Sequence, residues 1–163
     1  MHSQRTRVIT ANTAGFTLVE LIVVIMIIGI LGAIAMPRFF GSRVFAERGY
    51  YEELVAAIKF AQKAAVASGC PVRVVLLSGS YQADQQAPSG GRCDPSDASW
   101  ATPVMLLDGQ PLAGTAPSGV AAAPGLTWVF DALGRTNLGA DQAISVGPYT
   151  MTLQAASGYV DTP

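Results

Sequence analysis

The longest hydrophobic pattern in the chain is an apolar run from Phe16 to Met36, in which Glu20 is the one charged residue. As an α-helix this run would extend about 31 Å, at roughly 1.5 Å per residue. That length matches the hydrocarbon core of a bilayer, about 30 Å thick, whereas the apolar region of a secretory signal is only about 7–15 residues long. The run therefore predicts a membrane-inserted helix, with a buried core helix or an uncleaved signal anchor as the alternatives.

Basic residues flank this run on its N-terminal side. Arg5 and Arg7 precede it, and the run itself contains no Lys or Arg. Because basic residues are retained in the cytoplasm, they predict a cytoplasmic N-terminus. The rest of the chain is then expected on the far side of the membrane.

The apolar pattern changes after Pro37 to one of three- and four-residue steps, which is typical of an amphipathic helix. The recurring apolar positions are Tyr51, Leu54, Val55, Ile58, Ala61, Ala64 and Ala65, with Glu52, Glu53, Lys59 and Lys63 on the other side. Arg43 and Glu47 are four residues apart and can pair on one face of the helix. The pattern predicts a helical segment over residues 38–69.

Glycine and proline limit this helix at both ends. Gly69, followed by Cys70 and Pro71, is a helix stop. Pro37 removes a backbone donor and Gly41 is a weak helix former, so two alternatives stay open. The sequence fits either one long helix or two helices that meet near these residues.

From Pro71 onward short β-rich runs alternate with turn residues. The runs that predict strands are PVRVVLLSGSYQA (as a strand, turn and strand), WATPVMLLDG, LTWVFDALGRT, QAISVG, YTMTLQA and GYV. The Pro- and Gly-rich segment 109–125 is expected to be a surface loop, while Trp100, Trp128 and Phe130 are expected in the core. A helix followed by strands indicates an α+β domain in which the helix packs across an antiparallel sheet.

The two cysteines, Cys70 and Cys93, both follow the apolar run and would face an oxidising compartment. A disulfide is favoured over two reduced thiols, and closing this loop would stabilise the domain by about 3 kcal/mol. The single histidine, His2, lies on the opposite side of the membrane, so no metal site is expected.

The residues also argue against enzymatic activity and against nucleic-acid binding. No histidine on the folded side could act as a base, and no phosphate-binding loop or dinucleotide motif occurs. The aspartates Asp94, Asp97, Asp108 and Asp131 stand in turn contexts, where they hydrogen-bond locally. From Gly69 onward three arginines face seven aspartates, which is the opposite of a basic surface. Neither a cofactor nor nucleic acid is therefore expected as a partner.

The start of the apolar run resembles the cleavage motif of the type IV pilin-like family. In that family a short basic leader and a Gly precede Phe-Thr-Leu-any-Glu, which opens an apolar helix. Gly15 is followed here by Phe-Thr-Leu-Val-Glu, Phe16 to Glu20, and Pro37 closes the apolar run as in many members.

The resemblance implies that a prepilin peptidase cuts between Gly15 and Phe16 and methylates the new amine of Phe16. Glu20 then lies about one turn from that cationic amine and can face the amine of a neighbouring subunit. The resemblance also implies four segments. Residues 1–15 are the leader, 16–37 the transmembrane and assembly helix, 38–69 the amphipathic helix and 70–163 the β-rich remainder. The implied partners are other pilins, through their N-terminal helices, and the inner-membrane assembly platform.

The rest of the chain narrows the resemblance to the GspH/FimT-type minor pilins and pseudopilins. The passage from Arg48 to Leu76 is similar to the region of these proteins in which the helix leads into the first strand. The segment Val129–Thr136 is similar to the turn that precedes their closing strands. Arg48–Tyr51 and Ser68–Cys70 are most similar to minor pilins of the MSHA type. The implied function is a minor pilin of an MSHA-like type IV pilus; the alternatives are an H-type pseudopilin of type II secretion and a DNA-uptake pilin. The implied location is the bacterial inner membrane, crossed once, and then a surface pilus or periplasmic pseudopilus.

Overall fold

The computed structural model describes residues 17–89, 92–94 and 96–163. The chain divides between Phe40 and Gly41 into two units, each described by itself below. The predicted cleavage site, Gly15 and Phe16, lies outside the described residues.

A single helix, α1, runs from Leu18 to Ser68, so of the two alternatives the single long helix is observed. Among the described residues, no helix has the length and hydropathy needed to cross a bilayer. The assignment of residues 16–37 as a membrane-spanning segment stays a prediction.

Within the second unit, α1 is amphipathic in the way that its sequence predicts. Its buried hydrophobic residues are Tyr50, Tyr51, Leu54, Val55, Ala57, Ile58, Ala61 and Ala65. The helix ends where Gly69 takes a left-handed backbone, with φ of +66°, as expected for a glycine just beyond a helix. The Ser68 hydroxyl supports this end by donating to the Ala64 carbonyl at 2.7 Å.

Eleven strands follow α1 in the described part of the chain. They are β1 (Val72–Leu77), β2 (Ser80–Gln85), β3 (Pro88–Ser89), β4 (Arg92–Cys93), β5 (Thr102–Pro103), β6 (Ala113–Thr115), β7 (Ala122–Ala123), β8 (Leu126–Phe130), β9 (Gln142–Val146), β10 (Tyr149–Leu153) and β11 (Val160–Asp161). One sheet has the order β5-β2-β1-β8, with β6 also paired to β2; a second has the order β11-β10-β9-β7; β3 and β4 form a ribbon. All of these pairings are antiparallel, which confirms the α+β fold, with two main sheets rather than one.

The core lies between the amphipathic half of α1 and both main sheets. Every second residue of the central strands is buried, as expected for sheets with one covered face. The fully buried strand residues include Val72, Leu76, Trp128, Phe130, Ile144, Val146, Met151 and Leu153. Trp100 differs from its expectation, because it is only half-buried and its ring stacks on the Arg73 guanidinium at 5.3 Å.

The prediction of a plain surface loop over residues 109–125 is wrong. The segment contributes β6 and β7 and buries Leu112, Val120 and Ala122. These strands are three and two residues long, respectively, and consist of Ala, Gly and Thr, so backbone pairing rather than side-chain pattern creates them. In the predicted strand 100–109, only Thr102 and Pro103 pair as β5.

A side chain occupies the outer edge of β8. The Val129 N–H donates to Oδ1 of Asn137 at 2.8 Å, and the Asn137 N–H donates to the Val129 carbonyl at 3.2 Å. Thr136 adds a bridge to Phe130. Asn137 thereby takes the hydrogen bonds that a further strand would make to Val129.

Candidate assembly sites

The first candidate site is the N-terminal end of α1. Thr17 caps the helix, because its hydroxyl Oγ1 accepts a hydrogen bond from the Glu20 N–H at 3.2 Å. Thr17 and Glu20 have the spacing of a capping box, in which Ser or Thr precedes Glu by three residues. The Glu20 carboxylate also lies in the first turn, where the positive end of the helix dipole stabilises a negative charge.

This local role of Glu20 is one that the sequence analysis missed. The Thr-any-any-Glu spacing was the signal that could have revealed it. Helix capping alone is a sufficient reason for an acidic residue such as Glu20 in the first turn of a helix. Pairing with a neighbour's amine is therefore a separate role, and its test must distinguish the two.

The first unit of the chain exposes an apolar surface on every side of its helix. Each large apolar residue described from Leu18 to Leu31 is at least 40% exposed. These residues are Leu18, Val19, Leu21, Ile22, Val23, Val24, Ile25, Met26, Ile27, Ile28, Ile30 and Leu31. A helix that is apolar all round belongs in lipid or inside a bundle of helices, so this surface needs a partner.

A second site is the contact between α1 and the second sheet. The Tyr51 hydroxyl donates to the Thr150 carbonyl at 3.1 Å, and its ring packs on the ring of Tyr149 with centroids 5.6 Å apart. Glu47, the one charged residue found buried in the described part of the chain, accepts from Nε of Arg43 at 3.0 Å. The predicted Arg43–Glu47 pair is thus confirmed.

Gln62 fastens α1 to the C-terminal part of the domain. Its Nε2 donates to the carbonyls of Gly134 and Ser157, each at 2.9 Å. Two backbone segments that are distant in sequence therefore share one side chain of the helix. The contact fixes the turn after β8 against the segment that leads to β11.

Asp131 organises this turn, Phe-Asp-Ala-Leu-Gly-Arg. Its Oδ1 accepts the N–H groups of Leu133 and Arg135, each at 2.9 Å, and its Oδ2 accepts Nε of Arg135 at 2.9 Å. Desolvation works to raise the pKa of Asp131, but the hydrogen bonds and the charge of Arg135 outweigh it, so the pKa is lowered. Asp94, Asp97 and Asp108 likewise accept from turn residues, which confirms their predicted turn role.

The disulfide ties the end of α1 to strand β4. Cys70 and Cys93 are bonded, with their Cα atoms 5.3 Å apart. Cys70 is buried and directly follows the helix stop. The bond therefore anchors the ribbon β3–β4 next to the start of β1.

A third site is a groove of about 230 Å³ between α1 and the hairpin Val104–Leu112. Ala56, Ala57 and Phe60 form the helix wall, and Leu106 and Leu112 form the hairpin wall. Glu53 and Tyr81 supply its polar atoms. No pattern in the sequence indicated this groove, because its two walls are some fifty residues apart along the chain.

The polar side of this groove is held in one arrangement. The Tyr81 hydroxyl donates to Oε1 of Glu53 at 2.7 Å. Burial raises the pKa of Tyr81 far above its ordinary value, and the hydrogen bond and charge of Glu53 add to this effect. Gly114 lies against both side chains, and a Cβ there would come within 2.5 Å of the Tyr81 ring.

Positive charge on the second unit is largely paired with carboxylates. The described ion pairs are Arg43–Glu47 at 3.0 Å, Arg48–Glu52 at 3.7 Å, Arg73–Asp84 at 3.5 Å and Arg135–Asp131 at 2.8 Å. A phosphate backbone is attracted chiefly by unpaired positive charge.

Two family models match the chain. Residues 51–160 match the model of the type II transport protein GspH, and residues 10–36 match the prokaryotic N-terminal methylation motif. No curated protein and no solved structure matches it. The first match extends from Tyr51 on α1 to the start of β11, and the second includes Gly15, Phe16 and Glu20.

Proposed function

Because the chain belongs to the type II transport protein GspH family and carries an N-terminal methylation motif, we propose that it is a minor pilin of an MSHA-like type IV pilus. Family membership makes it a minor pilin or pseudopilin, of a type IV pilus or a type II secretion system. Such a chain is a structural subunit that interacts with other pilins or pseudopilins. The proposal adds the kind of filament and places the subunit at its initiation or tip.

The observation that carries the proposal is the all-round apolar surface from Leu18 to Leu31. A surface of this kind is unstable in water, since burying apolar area contributes about 25 cal/mol per Å². Before assembly, lipid of the inner membrane would cover it, with the N-terminus in the cytoplasm. After assembly, the helices of neighbouring subunits would replace the lipid.

Processing prepares the helix for this transfer. In our proposal a prepilin peptidase cuts between Gly15 and Phe16, which removes Arg5 and Arg7, and then methylates the Phe16 amine. Glu20, the only acid between Thr17 and Gly32, would pair with the amine of an adjacent subunit. A buried charge costs about 3 kcal/mol at the centre of a bilayer, so the paired register is favoured over others.

The assignment to an MSHA-like pilus is supported by two segments that resemble the minor pilin MshC. Arg48–Tyr51 supplies Tyr50, which is buried, and Tyr51, which bonds to Thr150. Ser68–Cys70 supplies the helix end and one half of the disulfide. The second candidate is an H-type pseudopilin of a type II secretion system, which the GspH match favours. The paired arginines disfavour a DNA-uptake pilin.

Fractionation of cells tests the proposal. Surface filaments are sheared off, and the processed chain is sought by mass spectrometry in filaments and envelope. We expect it in the sheared filaments, beside a major pilin, with methylated Phe16 as its first residue. Its restriction to the envelope, together with a cargo-secretion defect on deletion, would instead identify the pseudopilin.

Gly15→Leu is the control for processing. This variant should remain an uncut precursor in the inner membrane and be missing from filaments. Normal cleavage of the variant would contradict the peptidase assignment.

A further inference from the structure

We propose that the groove between α1 and the hairpin Val104–Leu112 binds an apolar side chain, flanked by a Lys or Arg, of a different pilin-type subunit in the same filament. The inference rests on the chain being a filament subunit, and it holds for a pilus or a pseudopilus alike. It names a surface of the second unit, whereas the apolar surface from Leu18 to Leu31 belongs to the first unit.

The groove has the size of a side-chain site. Its volume of about 230 Å³ lies below the roughly 300–1,000 Å³ of small-molecule pockets. On the helix wall, Glu53, Ala56, Ala57 and Phe60 recur at three- and four-residue steps, so they form one face. The alanines leave room between the bulkier Glu53 and Phe60, as in a socket for one inserted residue.

Apolar surface continues from the groove onto the hairpin. Leu107, next to the groove residue Leu106, is fully exposed, and Met105 is half-exposed. Backbone hydrogen bonds close the hairpin, from the Leu106 N–H to the Gln110 carbonyl at 2.8 Å and from the Gly109 N–H to the Leu106 carbonyl at 3.0 Å. Exposed apolar side chains that continue from a groove are typical of a protein-binding surface.

Glu53 sets the charge of the occupant. Its Oε1 is engaged by Tyr81, and a carboxylate retains further acceptor capacity at its second oxygen. No basic residue lies three or four positions from Glu53 along α1, and none forms an ion pair with it among the described residues. The groove therefore combines apolar walls with one fixed negative charge, which a basic residue beside an apolar one would complement.

Crosslinking in cells identifies the occupant. A photoreactive phenylalanine analogue is placed at Ala56 in the full chain, and at Ala67, an exposed residue further along α1, as the matched control. We expect the Ala56 probe to crosslink to another subunit that carries an N-terminal methylation motif, at a peptide with Lys or Arg beside an apolar residue. Crosslinks only to a second copy of this chain, only to lipid, or equally from Ala67 would overturn the proposal.

Charge and volume variants test the same surface. Glu53→Gln keeps an oxygen acceptor for Tyr81 but removes the charge, and Glu52→Gln removes a neighbouring charge outside the groove. We expect Glu53→Gln and Ala56→Trp each to reduce, about tenfold, the yield in purified filaments of the subunit that crosslinks to the Ala56 probe. A loss of this size is usual for residues at the centre of an interface. Glu52→Gln and Ala67→Trp should leave it unchanged.

The outcomes also separate this inference from the pilus assignment. The location of the wild-type chain, in sheared filaments or in the envelope, decides between pilus and pseudopilus. The yield of the partner subunit with Glu53→Gln, relative to its yield with Glu52→Gln, decides on the groove in whichever filament contains the chain. Equal partner yields with the two variants would overturn the groove proposal alone.

Discussion

The carboxylate of Glu47 lies against Gly147, where a Cβ would come 2.6 Å from the carboxylate carbon. Glu47 belongs to α1, and Gly147 belongs to the turn between β9 and β10. This turn also needs a residue with φ of +55°. Helix and second sheet can therefore approach this closely only because residue 147 has no side chain.

Gly147→Ala should destabilise the domain by about 1–3 kcal/mol, the usual range for a strained left-handed residue. The displaced Glu47 carboxylate would also weaken the pair with Arg43. Urea unfolding of the processed protein in detergent, followed by tryptophan fluorescence, measures the change. Gly139→Ala is the control, because a Cβ at residue 139 meets nothing within 4 Å. Equal midpoints for the two variants would contradict the close contact.

Gln62→Met should lower the free energy of unfolding by about 1–3 kcal/mol, because two carbonyls lose their donor while the side-chain volume is kept. Hydrogen exchange should rise first in the turn at Gly134 and in the segment at Ser157. Gln82→Met, which removes an exposed hydrogen bond to Asp84, should change little. A rise in hydrogen exchange confined to one of the two segments would show that Gln62 does not join them.

Asp131 makes stability depend on pH in the acid range. Since its pKa is lower in the folded protein than the ordinary value of 3.8, its stabilisation is complete above that value. It is lost as the pH falls through the lower folded pKa. Asp131→Asn should reduce the acid-induced drop in the urea midpoint, and an unchanged drop would remove Asp131 from this role. Asp94 and Asp97, whose pKa values are also lowered by hydrogen bonds from Ser96 and Ser99, should account for part of what remains.

The Cys70–Cys93 bond predicts a single disulfide-linked peptide pair in non-reducing mass analysis. Replacing both cysteines by serine should destabilise the domain by about 3 kcal/mol, because the unfolded chain loses a constraint on its loop. Thermal unfolding, with and without reductant, provides the measurement. Two thiols that alkylate freely in the native protein would contradict the bond.

Glu20 has two proposed roles, helix capping and pairing with a neighbouring subunit's amine. A variant of Thr17 distinguishes between them. If pairing with a neighbour's amine is needed, Glu20→Ala and Glu20→Gln should both be cut and inserted but be missing from filaments. Thr17→Val removes only the hydroxyl cap, which is worth about 1 kcal/mol, and should still assemble. Assembly of Glu20→Gln at the wild-type level would leave capping as the role of Glu20.

The amphipathic half of α1, its end at Gly69 and most of the strands were predictable from sequence. They depend on local periodicity and on single turn residues, which any reader of the sequence can see. The strands β6 and β7 were not predictable from sequence. The strand β6, for example, forms because Ala113–Thr115 pair with Ser80–Gln82, which lie more than thirty residues away along the chain.

Some features of the candidate sites were likewise predictable from sequence, and others were not. Glu20 stands out as a lone acid in an apolar run, and Arg43–Glu47 follows from a four-residue spacing. The groove and the bonds of Gln62 depend on which segments the fold brings together. Gly114 illustrates the limit: its sequence context shows only a small residue, while the structure places it against Glu53 and Tyr81.

The hydrogen bonds of Asn137 at the edge of β8 have a consequence for a protein that must polymerise. Subunits held at high local density can also join by strand exchange, which produces irreversible aggregates. Asn137 occupies the Val129 donor and acceptor that an incoming strand would use. The domain is thus protected at this edge from growing into a fibre of the wrong architecture.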